Sequence, residues 1–402
     1  HVRSRRQRQM CIRDSVYGGS IYTGGIGTLL TSFLNSRERG KDIQNICLQC
    51  GTCNTVCGGK LDIAGMILKL RTKFAQEDGL NPVHKFCLDT VADRHLFHSM
   101  LRIASVAQGM ITKGQPMIRH LPMFLSGLTA GRSLPSVAPQ PFRDILPTIK
   151  QDVPNPKGKI AIFTGCLLDF VYVDIATDVV KALNMAGYIV EMPLGQACCG
   201  APATYMGDVE NAKKAAEMNL NAMEAEKYDY IVSACPTCTH ALRDYVDFFK
   251  DDPEMLKKAE ELRSKTFDFC KLVSMLGGLP DTGDGVPMKV TYHDSCHLNR
   301  YLGVTKEQRE LLKATKGVEL IEMHDCDKCC GFGGSYSVKF PEMSAPILEE
   351  KINNIVASGA DVVAVDCPGC LLQIRGGLDA RGLNNIQVKH TAQIVVEKRE
   401  KK

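Results

Sequence analysis

From Lys157 onward, short apolar runs alternate with stretches of helical period. Residues 159–165 (KIAIFTG), 188–192 (YIVEM) and 230–234 (YIVSA) read as strands, with helices expected over 170–186 and about 208–226. The order then recurs. Residues 288–294 (MKVTYHD), 318–323 (VELIEM) and 361–366 (DVVAVD) read as strands, with helices over 305–315 and 342–357. Alternation of β and α segments at this spacing predicts parallel strands joined by right-handed crossovers, an α/β unit built twice. Upstream, the pattern gives a helix from Ile63 to about Arg71 and helical segments over 84–113. Residues 131–157 carry six prolines with little periodicity and read as a connector.

The two α/β units share a pattern of thiols. Between Cys166 and the pair Cys198-Cys199 lie 31 residues, and 35 more lead to Cys235-Pro236-Thr237-Cys238. Between Cys296 and Cys329-Cys330 lie 32, and 36 more lead to Cys367-Pro368-Gly369-Cys370. Each cysteine pair is followed by glycine, and equivalent positions are 130 to 132 residues apart, which marks an internal duplication. The first cysteine, the pair and the Cys-Pro start all fall just past the C-terminal end of an expected strand. Parallel strands end on one edge of a sheet, and ligand sites gather in the crevice there. The topology is therefore expected to bring five distant thiols together in each repeat.

Four ligands complete a tetrahedral zinc site, so a fifth thiol would be surplus. Thiolates without accompanying carboxylates suit iron–sulfur chemistry or zinc rather than calcium or magnesium. Adjacent cysteines reach different irons of one cluster more easily than one small ion, which favours a cluster in each repeat. A redox-active dithiol at the Cys-x-x-Cys helix starts is the lesser alternative. The repeats differ around the thiols: His293, Asp294 and His297 flank Cys296, where Phe163, Thr164 and Leu167 flank Cys166. Gly331-Phe332-Gly333-Gly334 likewise replaces Gly200-Ala201-Pro202-Ala203. Polar groups and open backbone near sulfur tune potential and admit a reactant. The second repeat is thus the one expected to meet a redox partner, with His293 and His297 around its ligands; plain hydrogen bonding of both histidines to nearby backbone is the competing reading. Cys87, Cys270 and Cys326 have no repeat partner and read as ordinary thiols, Cys326 being notable for its closeness to Cys329.

Nearer the start, Cys47-x-x-Cys50-x-x-Cys53-x-x-x-Cys57 is the run that bacterial-type ferredoxins use for 4Fe–4S clusters. Gly58 stands where that run normally has proline. In two-cluster ferredoxins the fourth cysteine serves the other cluster, so Cys47, Cys50 and Cys53 are expected to hold one cluster and Cys57 to belong to a second. Only Cys11 lies upstream, so this domain reads as partial. The glycine-rich residues 18–28 (GGSIYTGGIGT) lack a Gly-Lys-Ser/Thr and read as a tight turn beside a metal cluster. His84, His95, His98 and His120 show no ligand spacing and read as ordinary surface or core residues.

Among 402 residues, 44% are hydrophobic and 23% charged, values of a globular protein, and no apolar run is long enough to span a bilayer. Eighteen cysteines in Cys-x-x-Cys and Cys-Cys units argue for metal ligation in a reducing, cytoplasmic setting rather than a disulfide framework. The net charge of +4 resides in residues 1–15, where Arg3, Arg5, Arg6, Arg8 and Arg13 face only Asp14. Removing these leaves 44 basic and 44 acidic residues (49 − 5 and 45 − 1), so no nucleic-acid partner is expected. The chain opens on His1, and the stretch Gln9–Ser15 resembles translated adapter, so residues 1–15 read as a non-native tail. The expected layout is a partial ferredoxin domain over 16–75, a helical segment and Pro-rich connector over 76–157, and repeats over 158–280 and 286–402.

The duplicated pattern resembles the cysteine-rich CCG domain of heterodisulfide reductase subunits and of iron–sulfur subunits of glycolate, glycerol-3-phosphate and lactate dehydrogenases. The resemblance implies a non-cubane 4Fe–4S cluster bound by five cysteines in one or both repeats, with zinc an alternative in the first. The ligands it implies are Cys166, Cys198, Cys199, Cys235 and Cys238, then Cys296, Cys329, Cys330, Cys367 and Cys370. Residues 18–28 ahead of Cys47 are similar to the link between the two ferredoxin motifs of lactate-utilisation iron–sulfur proteins. That likeness implies the C-terminal part of a fused form. The function so implied is electron relay for a hydroxy-acid dehydrogenase, with L-lactate as substrate. Electrons would come from a flavin or another dehydrogenase subunit and pass to quinone, at the inner face of the membrane, or to a thiol/disulfide partner. Alternatives are a disulfide-cleaving reductase subunit, a glycolate or glycerol-3-phosphate dehydrogenase subunit, and a zinc-stabilised scaffold. No residue presents itself as the base that takes hydrogen from a substrate.

Overall fold

A computed structural model describes residues 24–34, 37–112, 117–118, 133–280 and 285–400. Tail residues 1–15 and Cys11 lie outside the described residues, as do His120 and the first part of the glycine-rich stretch. Three sheets form. The smallest pairs β1 (Met117–Ile118) with β2 (Leu134–Pro135). The first repeat contributes β3 (Gly158–Ile162), β4 (Tyr188–Glu191), β5 (Tyr230–Ser233) and β6 (Thr266–Asp268), in the order β4-β3-β5-β6. The second contributes β7 (Met288–Tyr292), β8 (Val318–Leu320), β9 (Val362–Ala364) and β10 (Gln387–Lys389), in the matching order β10-β9-β7-β8. Every pairing in both large sheets is parallel. The architecture is thus the duplicated α/β one that the hydrophobic rhythm predicts, preceded by a mainly helical region.

The register repeats as well. Ile160 faces Val190 and Tyr230 in the first sheet, and Val290 faces Leu320 and Val362 in the second. One residue past each leading strand, the Phe163 amide donates to the Val232 carbonyl and the His293 amide to the Ala364 carbonyl (2.8 and 3.0 Å). Strand order reverses beside β3 and β7, so each crevice opens beyond the ends of the central strands. Cys166 and Cys235 follow β3 and β5; Cys296 and Cys367 follow β7 and β9.

The repeats share one core. Ile160, Val232 and Phe269 of the first belong to the same buried cluster as Ile352, Val363 and Leu371 of the second. Helix Val173–Met185 lies against helix Thr391–Glu397, and Gln393 Nε2 donates to Asp174 Oδ2 at 2.8 Å. The proline-rich stretch is strapped onto the first repeat. Phe142 is fully buried in the shared core, the Ala138 amide donates to the Phe170 carbonyl, and Arg143 pairs with buried Asp169.

Ahead of the repeats, helices Gly24–Leu34, Arg37–Asn45 and Ile63–Asp78 enclose a small core of Leu29, Ile63, Ile67, Leu70 and Phe74. The glycine-rich segment is a helix from Gly24 onward rather than a turn. It does lie beside the cysteines: a Cβ on Gly25 would stand 3.3 Å from Cys53 Sγ. No helix among the described residues is long and apolar enough to cross a membrane.

Candidate metal centre

Ten repeat cysteines, together with Cys47 and Cys50, line one cavity of about 830 Å³. Each repeat positions its thiols with the same local chemistry. Cys235 and Cys367 are the N-caps of helices Pro236–Asp244 and Pro368–Ala380, whose first-turn prolines suit a position with no amide partner. Cys238 and Cys370 then fall in the first helical turn beside the cap. After each adjacent pair, Gly200 and Gly331 adopt φ of 80° and 85°. A Cβ on Gly331 would lie 2.8 Å from the Ser344 carbonyl oxygen, so the chain needs glycine there to bring both thiols inward.

The thiols form a continuous contact series. In the first repeat Cys166 adjoins Cys198, Cys198 adjoins Cys199, Cys199 adjoins Cys238, and Cys238 adjoins Cys235. In the second Cys296 adjoins Cys329, Cys329 adjoins Cys330, Cys330 adjoins Cys370, and Cys370 adjoins Cys367. The two series meet, because the Cys235 and Cys367 thiols are near enough to act on each other. None of the described cysteines is in a disulfide. Bonds from Cys198 and then Cys238 hold the Cys199 thiol down at about 6. Bonds from Cys235 and Cys370 hold Cys367 well below the usual thiol value. A bond to Cys198 and then burial push Cys166 up, and a bond to Cys329 and then burial do the same to Cys296.

The backbone at the first cysteine pair and the loop ahead of the second are fixed by different side chains. Asn219 Nδ2 donates to the Cys198 carbonyl and the Tyr245 hydroxyl to the Cys199 carbonyl, both at 2.9 Å. In the second repeat, buried Lys351 donates through Nζ to the carbonyls of Asp325 (2.8 Å) and Cys326 (3.1 Å). Arg309 forks onto Asp294, with Nη1 to Oδ1 and Nη2 to Oδ2 both at 2.9 Å.

The Cys47–Cys57 loop sits across the mouth of this cavity. Cys47, Cys50 and Cys53 are close enough to act on one another, and burial followed by the other two pushes the Cys53 thiol up to about 12. Cys57 is the C-cap of the one-turn helix Thr52–Val56. Arg71, on the inner face of helix Ile63–Asp78, donates to the carbonyls of Cys47 (2.6 Å) and Tyr205 (3.0 Å), tying loop to first repeat. Arg300 Nη1 donates to the Cys50 carbonyl (3.2 Å) and the Tyr301 hydroxyl to the Gln49 carbonyl (2.9 Å), tying loop to second repeat. Cys50 and Cys296 are near enough to interact electrostatically. Leu48 fills the notch left by Gly333, where a Cβ would stand 2.5 Å from its Cδ2. The open backbone of Gly331–Gly334 thus receives the cluster loop of the same chain.

The two flanking histidines part ways. His297 Nε2 lies 2.6 Å from the Tyr205 hydroxyl and its ring stacks on Tyr301. His293 is fully buried and neither ring nitrogen has a hydrogen-bond partner. Of the unpaired thiols, Cys270 is buried with Sγ 3.6 Å from Asp366 Oδ2, Cys326 lies 3.6 Å from Arg309 Nη2, and Cys87 is exposed. Arg71, Arg300, Tyr301 and Tyr205 have no motif to announce them. Arg71 alone left a trace, as a cation on the apolar face defined by Ile63, Ile67, Leu70 and Phe74.

Two matched parallel-sheet units, each with five thiols at its strand ends, define a duplicated cysteine-rich metal-binding protein. The family model described as "CCG: Cysteine-rich domain" matches residues 160–243 and 290–375. The chain is 39% identical over 240 residues to lactate utilization protein A of Shouchella clausii, covering 99% of that protein and 60% of this chain. It is 36% identical over 238 residues to lactate utilization protein A of Bacillus subtilis, covering 98% of that protein and 59% of this chain. A probable glycolate oxidase iron-sulfur subunit of Bacillus subtilis is 30% identical over 375 residues, 84% of its length and 90% of this chain. The chain belongs to the CCG family that these proteins share.

Proposed function

We propose that this protein is an iron–sulfur electron-transfer component of a hydroxy-acid oxidising system, with L-lactate as the hydroxy acid. Kinship with lactate utilization protein A and with a glycolate oxidase iron-sulfur subunit supports the substrate class. The donor set fits iron–sulfur centres: ten contacting thiols, none in a disulfide, around one cavity with no carboxylate among its lining side chains except Asp78. On this reading Cys47, Cys50 and Cys53 hold a cubane cluster, and Cys57 serves a neighbouring one. Cys166, Cys198, Cys199, Cys235 and Cys238 hold one non-cubane centre, with zinc as the alternative there. Cys296, Cys329, Cys330, Cys367 and Cys370 hold the other. The centres supply one-electron chemistry; the chain supplies ligands, burial and hydrogen bonds that set their potentials.

The observation that carries the relay is the docking of the cluster loop on the second repeat. Arg300, Tyr301 and Leu48 bring Cys50 within electrostatic reach of Cys296, and Cys367 adjoins Cys235. The loop and both repeats thus present their thiols around one shared cavity. Donor and acceptor lie outside the chain: a flavin-bearing dehydrogenase subunit on one side, quinone or a thiol/disulfide partner on the other.

Anaerobic purification followed by iron, acid-labile sulfide and zinc analysis tests the reading. Expected is brown protein with both iron and sulfide, and EPR signals from more than one type of centre after stepwise reduction. Colourless protein with stoichiometric zinc and no sulfide would sink it. The contact of Cys235 with Cys367 favours one second reading, disulfide cleavage between the repeats. It predicts consumption of reduced viologen by a disulfide without lactate.

A further inference from the structure

We infer that His293 is a nitrogen ligand of the metal centre in the second repeat, bound through its imidazole beside Cys330 and Cys370. The inference rests on the iron–sulfur reading above and concerns one residue that this reading leaves outside the ligand set.

Three observations converge on it. First, His293 is fully buried, and both ring nitrogens lack any hydrogen-bond partner. A buried polar atom without a partner costs about 1–3 kcal/mol, so such an atom calls for a ligand. Second, a ring nitrogen of His293 and the sulfurs of Cys330 and Cys370 all lie within 4.8 Å of one another. A metal about 2.0 Å from nitrogen and about 2.3 Å from sulfur holds tetrahedral neighbours about 3.5–3.8 Å apart, so modest contraction completes the site. Third, the charged groups that act on the ring, Lys351 and Asp294, are engaged elsewhere. Lys351 Nζ is taken by the Asp325 and Cys326 carbonyls, Asp294 by Arg309, and His297 by Tyr205.

The duplication supplies an internal control. Phe163 occupies the equivalent place in the first repeat, with the same backbone bond across to the next strand. The sheet therefore aims this side chain at the Cys-Cys-Gly and Cys-Pro-x-Cys thiols in both copies. One copy fills the spot with a ring that cannot ligate, the other with a ring that can. A nitrogen donor in one copy alone changes the ligand field and hydrogen bonding of that centre, which are what tune its reduction potential. The two repeats would then differ in reduction potential, although they share their cysteine pattern.

The test is pulsed EPR on full-length, anaerobically prepared protein, using material grown with natural and with 15N-labelled histidine. Iron and sulfide are assayed on each sample. Expected is a strong histidine-nitrogen coupling that changes with the label. It should vanish in His293→Phe, which copies the first repeat, and persist in His297→Phe. The midpoint potential of the affected signal should shift in His293→Phe while the other signals stay in place. Full iron and sulfide with no strongly coupled histidine nitrogen in the unsubstituted protein would overturn the ligation and leave the iron–sulfur reading standing. Loss of the coupling in His297→Phe, or a coupling only of hydrogen-bond strength, overturns it equally. Protein without iron and sulfide overturns both. Because the labelled parent protein and His297→Phe each test the ligation by themselves, failure of His293→Phe to fold leaves the inference open to refutation.

Discussion

At single positions, the site depends on side chains that are absent as much as on those present. Gly25 is one: a Cβ there would lie 2.9 Å from Ile63 Cγ2 and 3.2 Å from Cys53 Cβ. Gly25→Ala should cost about 1–3 kcal/mol through overpacking. It should also alter the EPR spectrum of the loop centre while leaving the repeat signals unchanged. Arg309 shows the opposite dependence. Its fork satisfies Asp294, which is only 6% exposed, and it also bonds Glu322. Arg309→Met leaves that carboxylate buried without its cation, a change worth about 3–5 kcal/mol. Denaturant midpoints of the anaerobic protein measure it, and Arg309→Lys should recover only part, since one ammonium cannot serve both oxygens.

Among the elements, those with a strong hydrophobic signal were legible. Three strands per repeat stand out because each carries an apolar run bounded by turn residues. The fourth strands, β6 and β10, were not. Each has three residues, Thr266-Phe267-Asp268 and Gln387-Val388-Lys389, too short and too polar to register as a period. The helix Gly24–Leu34 was hidden by its glycines, which signal a turn until tertiary contact with Cys53 is known. Helix Val173–Met185 carries a pH effect that follows from its place between the repeats. Burial, helped by Glu400 and Asp174, pushes the Asp178 carboxyl up to about 6 against the pull of Lys181. A raised carboxyl keeps its proton in the folded state after the unfolded chain has released it. Stability is thus unaffected below about pH 4, declines as pH climbs towards 6, and stays reduced above that. Asp178→Asn should therefore unfold at a higher midpoint than the parent at pH 8, by on the order of 2 kcal/mol, and the gap should narrow at pH 5.

Across the whole molecule, the ligand pattern could be read from spacing, because the duplication writes it twice. How the parts dock could not. Nothing in the sequence marks Arg300 and Tyr301 as ties between the cluster loop and the second repeat, and the misplaced cation Arg71 does not say what it ties, since docking is a property of surfaces and not of period. Arg300 gives this level its own test. Its side chain is buried to 6% exposure between Cys50 and Asp327. Removing a unit charge at such a site changes a neighbouring centre by about 1–2 kcal/mol at an effective dielectric of about 20. Arg300→Met should lower the midpoint potentials of both the loop centre and the second-repeat centre by tens of millivolts in a redox titration, with the first-repeat signal least affected. The notch at Gly333 has a different reach. Leu48 and Gly333 are separated by most of the chain yet fit as plug and socket, so neither can drift in size without the other. Anyone splicing the amino-terminal segment of one relative onto the paired repeats of another must carry the two positions together, or the hybrid will not close.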